Sequence, residues 1–168
     1  MFIERADLLK GMSREFVNEI KAIMFEESHP KGAFLFKEGD PANNFYILQE
    51  GGVKLTIGEQ GHIVQIASNA GEAFGWSSLV GREAYTASAE CLIPTRLMKI
   101  EKEKLNWILE GYPADGMSFF KGLARILGQR LLNSYISLLL AQPSETHRTY
   151  GSSLTLQQRS DELSARGH

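Results

Sequence analysis

The sequence predicts an α+β protein: an antiparallel β-roll, jelly-roll-like in the manner of a double-stranded β-helix, with N-terminal helices before it and a long C-terminal dimerisation helix after it. Three observations carry this. Apolar residues recur at helical spacing in the first thirty positions. Short β-branched and aromatic runs, divided by turn residues, fill the middle. A long 4-3-4-3 apolar pattern then runs to Pro143.

Each part follows in order. Residues 1–32 read as a helical lead, with Leu8, Leu9, Met12, Phe16, Ile20, Ile23 and Met24 on one face, Ser13 as a start signal, and Pro30 and Gly32 as the stop. Residues 33–100 hold the runs Ala33–Phe36, Phe45–Leu48, Val53–Ile57, Ile63–Ala67, Tyr85–Leu92 and Thr95–Ile100. Glycine-, asparagine- and proline-rich segments separate them, which predicts about eight strands. No long helical pattern interrupts them, which argues against a parallel α/β sheet. Residues 101–142 return to helix. A short one ends at Gly111-Tyr112-Pro113, and a long one, capped by Asp115 or Ser118, reaches about Gln142. Its seam is Phe120, Ala124, Leu127, Leu131, Ser134, Leu138 and Ala141, with a second stripe of Phe119, Leu123, Ile126 and Leu132. That pattern predicts a homodimer; a helix packed only on its own domain is the alternative. Residues 143–168 form a polar tail.

Composition narrows the function classes. Cys91 is the only cysteine, so an intrachain disulfide, a zinc knuckle and an iron–sulfur cluster are excluded. A buried strand position suits it as a small hydrophobe. The net charge of −2 carries no footprint for nucleic acid. No uncharged apolar stretch is long enough to span a bilayer, and charges break the N-terminal apolar runs, so no signal peptide and a cytoplasmic location are expected.

Two segments carry the functional signal. The first is Phe36-Lys37-Glu38-Gly39-Asp40, followed by Phe45-Tyr46-Ile47-Leu48-Gln49-Glu50-Gly51 and Val53. The second runs from Gly71 to Ala89 and contains Phe74-Gly75-Trp76-Ser77-Ser78-Leu79 and Arg82-Glu83-Ala84-Tyr85-Thr86-Ala87. Together they resemble the cyclic nucleotide-binding domain family, as in catabolite activator proteins and kinase regulatory subunits. The second segment resembles that family's phosphate-binding cassette. The resemblance implies a ligand held by Phe74, Gly75, Trp76, Ser77, Ser78, Arg82, Tyr85, Thr86 and Ala87, with dimer-helix contacts from Ser134, Tyr135 and Ser137. The implied ligand is a cyclic nucleotide (cAMP or cGMP) or another small anion. Backbone N–H groups at a short helix start suit an anionic group.

The chain departs from the pattern at both charged anchors. Trp76 stands at the glutamate position that would accept the ribose hydroxyl, and Tyr85 at the arginine position that would neutralise the phosphate. Losing the arginine should weaken ordinary cyclic AMP binding by several kcal/mol. Three readings stay open: a different ligand met by Trp76 and Tyr85, Arg82 as a substitute anchor, or a pocket filled by its own side chains in a ligand-free dimerisation module.

No catalytic residue and no metal ligand is assigned. The histidines His29, His62, His147 and His168 form no H-x-H or H-x-x-x-H pair, and neither a nucleophile elbow nor a P-loop motif occurs. An enzyme of the metal-dependent β-roll kind and a haem sensor are the rival classes. The residues after Pro143 offer no helix-turn-helix, so DNA contact from them is not expected.

Overall fold

The computed structural model describes residues 8–141. In chain order these form α1 (Arg14–Ala22), β1 (Met24–His29), β2 (Phe34–Phe36), β3 (Asn44–Glu50), β4 (Val53–Ile57), β5 (His62–Ala67), β6 (Ala73–Phe74), a one-turn 3-10 helix (Trp76–Leu79), β7 (Ser88–Cys91), β8 (Thr95–Glu101), α2 (Lys102–Gly111) and α3 (Pro113–Ala141). The chain divides into two compact units, Met1–Leu131 and Leu132–His168. No helix among the described residues is long and apolar enough to cross a membrane.

The strands make two four-stranded antiparallel sheets, ordered β1-β8-β3-β6 and β2-β7-β4-β5. Strand β3 explains why both are needed. Its Phe45-Tyr46-Ile47-Leu48 run is apolar at every position, so both faces must leave water. Phe45 and Ile47 join a core made with α1, α2 and α3, through Phe16, Ile20, Leu105, Ile108, Phe119 and Leu123. Tyr46 and Leu48 join a second core between the sheets, with Phe36, Val53, Leu55, Phe74, Ala89, Cys91 and Leu97. Each fully buried large side chain contributes about 1.5–3 kcal/mol. The second core thus holds the roll together and the first anchors the helices to it.

Turn chemistry sets the strand ends. Gly51 has φ 108, and a Cβ there would lie 2.6 Å from Thr95 Oγ1. Thr95 needs that space: it is buried, its hydroxyl donates to Ile93 O (2.8 Å), and it accepts from Gly52 N (3.2 Å). Any side chain at position 51 meets both a disfavoured backbone region and backbone atoms.

Two expectations need correction, the extent of the N-terminal helix and the cap of the long one. The N-terminal lead is not helical to Pro30: α1 stops at Ala22, and Met24–His29 is a strand pairing with β8 over all six residues. Its sequence, MFEESH, has no strong strand preference. Pairing decides it, since strand formation follows the neighbouring strand more than intrinsic propensity. Ala73–Phe74, inside the cassette, is a short strand on β3. The long helix starts at Pro113, a residue suited to the first helical position, so neither Asp115 nor Ser118 caps it. Ser118 Oγ donates to Ala114 O (3.1 Å) within the helix. In α3 the buried apolar side chains are Phe119 and Leu123 of the second stripe, while Phe120, Leu131 and Leu138 of the seam are exposed in the single chain.

Asp115 has a different task. Ser13 caps α1 by accepting from Phe16 N (3.3 Å). Asp115 accepts from Ser13 N (2.9 Å) and from Ser13 Oγ (2.5 Å). One carboxylate therefore fixes the first turn of α1 to the first turn of α3. Ser13→Ala and Asp115→Ala should each lower stability by about 1 kcal/mol. Because they break one network, the double variant should lose less than the sum, as measured by urea unfolding.

Candidate ligand-binding cassette

The cassette is pinned at both ends. At its entrance, β6 pairs with β3 through Tyr46–Phe74 and Ile47–Ala73. Leu48 N donates to Glu72 O and Gly71 N to Leu48 O, both at 2.8 Å. At its exit the backbone bonds to the loop that follows β2. Gly39 N donates to Tyr85 O (3.0 Å), Tyr85 N to Asp40 O (2.9 Å) and Ala42 N to Glu83 O (2.8 Å). Asp40 in turn holds its own turn by accepting from Lys37 N (2.7 Å). The two motifs, far apart in sequence, are thus one hydrogen-bonded structure.

Gly75 makes the turn. Its φ is 78, and a Cβ would sit 3.0 Å from Tyr46 Cδ2 and 3.1 Å from Asn44 O. The 3-10 turn Trp76–Leu79 follows. Ser78 is buried and donates from its hydroxyl to Gly75 O (2.9 Å). The Ser77 hydroxyl lies 3.4 Å from that of Thr86, so the two arms of the cassette meet through neutral hydroxyls. Phe74 and Ala87 are buried, and Thr86 is half-buried.

The two replaced anchors turn inward. Trp76 packs against the helical core. Tyr85 is 4% exposed and stacks on Phe36 with ring centroids 3.8 Å apart and planes at 16°. Phe36 also stacks on Tyr46 (5.6 Å), and Tyr46 on Phe74 (5.4 Å). The Tyr85 hydroxyl donates to Asn44 O (2.7 Å) and accepts from Asn44 N (3.0 Å). Tyr85 is therefore a structural pin between the cassette and β3. Arg82 is exposed and forms no ion pair among the described residues.

Burial raises the pKa of both tyrosines. For Tyr46 burial is the leading cause, with the neighbouring Tyr85 hydroxyl adding to it. For Tyr85 burial is again first, opposed in part by the Asn44 backbone hydrogen bond. Cys91, buried on β7, is likewise pushed up chiefly by burial.

One contact had no signal in the sequence. Arg130 of α3 donates from Nη2 to Ala73 O (2.6 Å), tying the long helix to the cassette entrance. Burial lowers its pKa, and nearby Glu72 opposes that shift. A cleft of about 560 Å³ lies there, bounded by Asn69–Ala73 on one side and Arg125, Gln129 and Arg130 on the other. Ser134, Tyr135 and Ser137 belong to the second unit. All three are exposed, and Ser137 Oγ donates to Asn133 O (3.0 Å).

The model of the cyclic nucleotide-binding domain family matches residues 26–112. The chain belongs to the cyclic nucleotide-binding domain family. It is 26% identical over 131 residues to cyclic nucleotide-gated channel beta-3 of Mus musculus, covering 76% of this chain and 19% of the channel. It is 27% identical over 129 residues to cGMP-dependent protein kinase 2 of Homo sapiens, covering 68% of this chain and 17% of the kinase. The chain thus spans less than a fifth of either curated relative. Among solved structures, a candidate cyclic nucleotide-binding protein from Geobacter metallireducens GS-15 is similar at TM-score 0.67 and 30% identity, covering 78% of this chain and 98% of that one. The observed β-roll with its flanking helices is this family's fold.

Both tyrosines are raised above their ordinary value of 10.0, so the unfolded chain ionises first as pH climbs. Their stabilising contribution is complete below about pH 10 and is lost as pH rises beyond it. Tyr85→Phe should cost about 1–3 kcal/mol at neutral pH by leaving Asn44 N–H and C=O without their partner. It should also flatten the alkaline decline. Urea unfolding across a pH series checks both effects.

Proposed function

We propose that the chain is a non-enzymatic regulatory sensor module that works as a homodimer. Its cassette takes a cyclic nucleotide or another small anion through neutral donors, and occupancy is passed to α3. The observation that carries this is the preserved turn: Gly75 in its left-handed conformation, with Ser77 and Thr86 hydroxyls facing each other across the cassette. The Arg130–Ala73 bond supports the second half, because it puts α3 in contact with the cassette entrance. A ligand that reorders the entrance biases that bond and so the helix.

Tyr85 sets the strength. A neutral, already-bonded phenol cannot replace a guanidinium, and charge-assisted bonds to phosphate are roughly twice as strong as neutral ones. Cyclic nucleotide binding is therefore weak. Calorimetric titration with cAMP and cGMP should give a Kd near about 1 mM, and Tyr85→Arg should tighten it by about tenfold or more. A micromolar Kd in the natural chain would reject the neutral-donor cassette. No heat at saturating ligand would favour the second reading, a ligand-free dimerisation module, which the tight Phe36–Tyr85 stack supports.

Homodimerisation is supported by α3. Every residue from Leu131 to Leu140 is exposed, among them Leu131, Leu132, Tyr135, Ile136, Leu138, Leu139 and Leu140. So much apolar surface on one helix calls for a partner, and the seam's heptad spacing suits a second copy. Leu131→Glu with Leu138→Glu should convert the dimer to a monomer of unchanged fold. Light scattering gives the mass; an unchanged dimer mass would reject the seam.

A further inference from the structure

We infer that the cleft between α1 and α2 around Trp107 docks a segment of a partner protein that presents an apolar side chain flanked by lysines or arginines. The inference is independent of the cassette. Helix α2 needs only Leu105, Ile108 and Leu109 for its core, and these are buried. Trp107 faces away and is 74% exposed. A tryptophan left in water forgoes the burial that its large apolar surface would bring, and tryptophan is the residue most enriched where binding energy concentrates.

The surroundings define the occupant. Trp107 lines a cleft of about 280 Å³ with Glu19, Ile23, Glu103, Lys104 and Ile108. That volume suits one or two side chains and lies below the range of small-molecule sites. Phe25, 48% exposed, extends the apolar surface, with Lys104 Nζ 5.2 Å from its ring centroid. Lys104 brings no free positive charge, since its ammonium pairs with Glu101 at 2.8 Å. The remaining charges are negative. Glu103 and Glu110 flank Trp107 at i−4 and i+3 on its own helix, which puts them on its face. Glu19 stands across the cleft. All three are exposed and make no ion pair among the described residues. Ile23, also in the lining, closes the C-terminal end of α1, where Lys21 in the last turn offsets the negative end of the helix dipole. An apolar seat with a negative rim selects a basic, apolar segment and repels an anionic membrane.

The test uses the full chain. The difference in fluorescence between the wild type and Trp107→Phe isolates Trp107. The probe is a synthetic amphipathic peptide of leucine and lysine; a leucine–glutamate peptide of equal length and vesicles of phosphatidylcholine with phosphatidylserine are the comparisons. The expected result is a blue shift of the Trp107 signal with the lysine peptide alone, weakened about tenfold by Glu19→Lys with Glu103→Lys. Trp107→Ala, exposed and so compatible with folding, should abolish binding measured by calorimetry. The inference is overturned if the glutamate peptide binds equally, if vesicles shift the signal and the lysine peptide does not, or if Trp107→Ala binds as the wild type does. It is also overturned if the signal shifts with protein concentration alone, which would make a second copy the occupant.

Discussion

Phe45 and Ile47 face the helices while Tyr46 and Leu48 face the second sheet, so a single strand is shared by both cores. A strand buried on both faces cannot slip in register, because a shift of one residue would exchange the two sets of side chains. The cassette inherits that rigidity. Its entrance strand pairs with Tyr46 and Ile47, and the backbone beside it bonds to Leu48. Its exit is pinned by Tyr85 to Asn44, the first residue of the same strand. Strand β3 therefore fixes the entrance and the exit of the cassette at once, and the helices on its other face are held by the same constraint.

That economy explains what a tyrosine does where the family pattern has arginine. A guanidinium at this position would need an anion or a carboxylate beside it to justify its burial. A phenol needs only one donor and one acceptor, and Asn44 supplies both from its backbone. The ring then completes an aromatic cluster with Phe36, Tyr46 and Phe74. The position has exchanged a ligand-dependent charge for a self-sufficient contact. The cassette exit is thus held by contacts made within the chain, through the Asn44 backbone and the Phe36 ring.

Much of this was legible before any coordinates. The apolar runs between Ala33 and Ile100 each overlap a strand, although the first residues of Tyr85–Leu92 belong to the cassette exit before β7. The cassette was legible through its resemblance to the family's, and Gly75 in it takes the left-handed conformation that suits glycine. Other parts were not. Met24–His29 reads as a helix continuation, and only its six-residue pairing with β8 makes it a strand. The Phe36–Tyr85 stack joins residues whose proximity depends on the whole roll. The Asn44 partners of Tyr85 are backbone atoms, and backbone atoms carry no side-chain signature. Arg130 on Ala73 fails for both reasons.

The long helix α3 makes the same distinction between local and shared constraints. Its sequence carries two apolar stripes, the seam interrupted by Ser134 and the second made of Phe119, Leu123, Ile126 and Leu132. The structure ranks them by what each touches. Phe119 and Leu123 are buried in one core with Phe45 and the apolar residues of α2. At Leu131 and Leu138 the seam remains in water. The division also runs along the helix, since Leu127 of the seam packs against the same core while Leu132 of the second stripe is exposed. Of the residues that the core leaves exposed on α3, Leu131 and Leu138 lie one heptad apart, which places them on the same face of the helix.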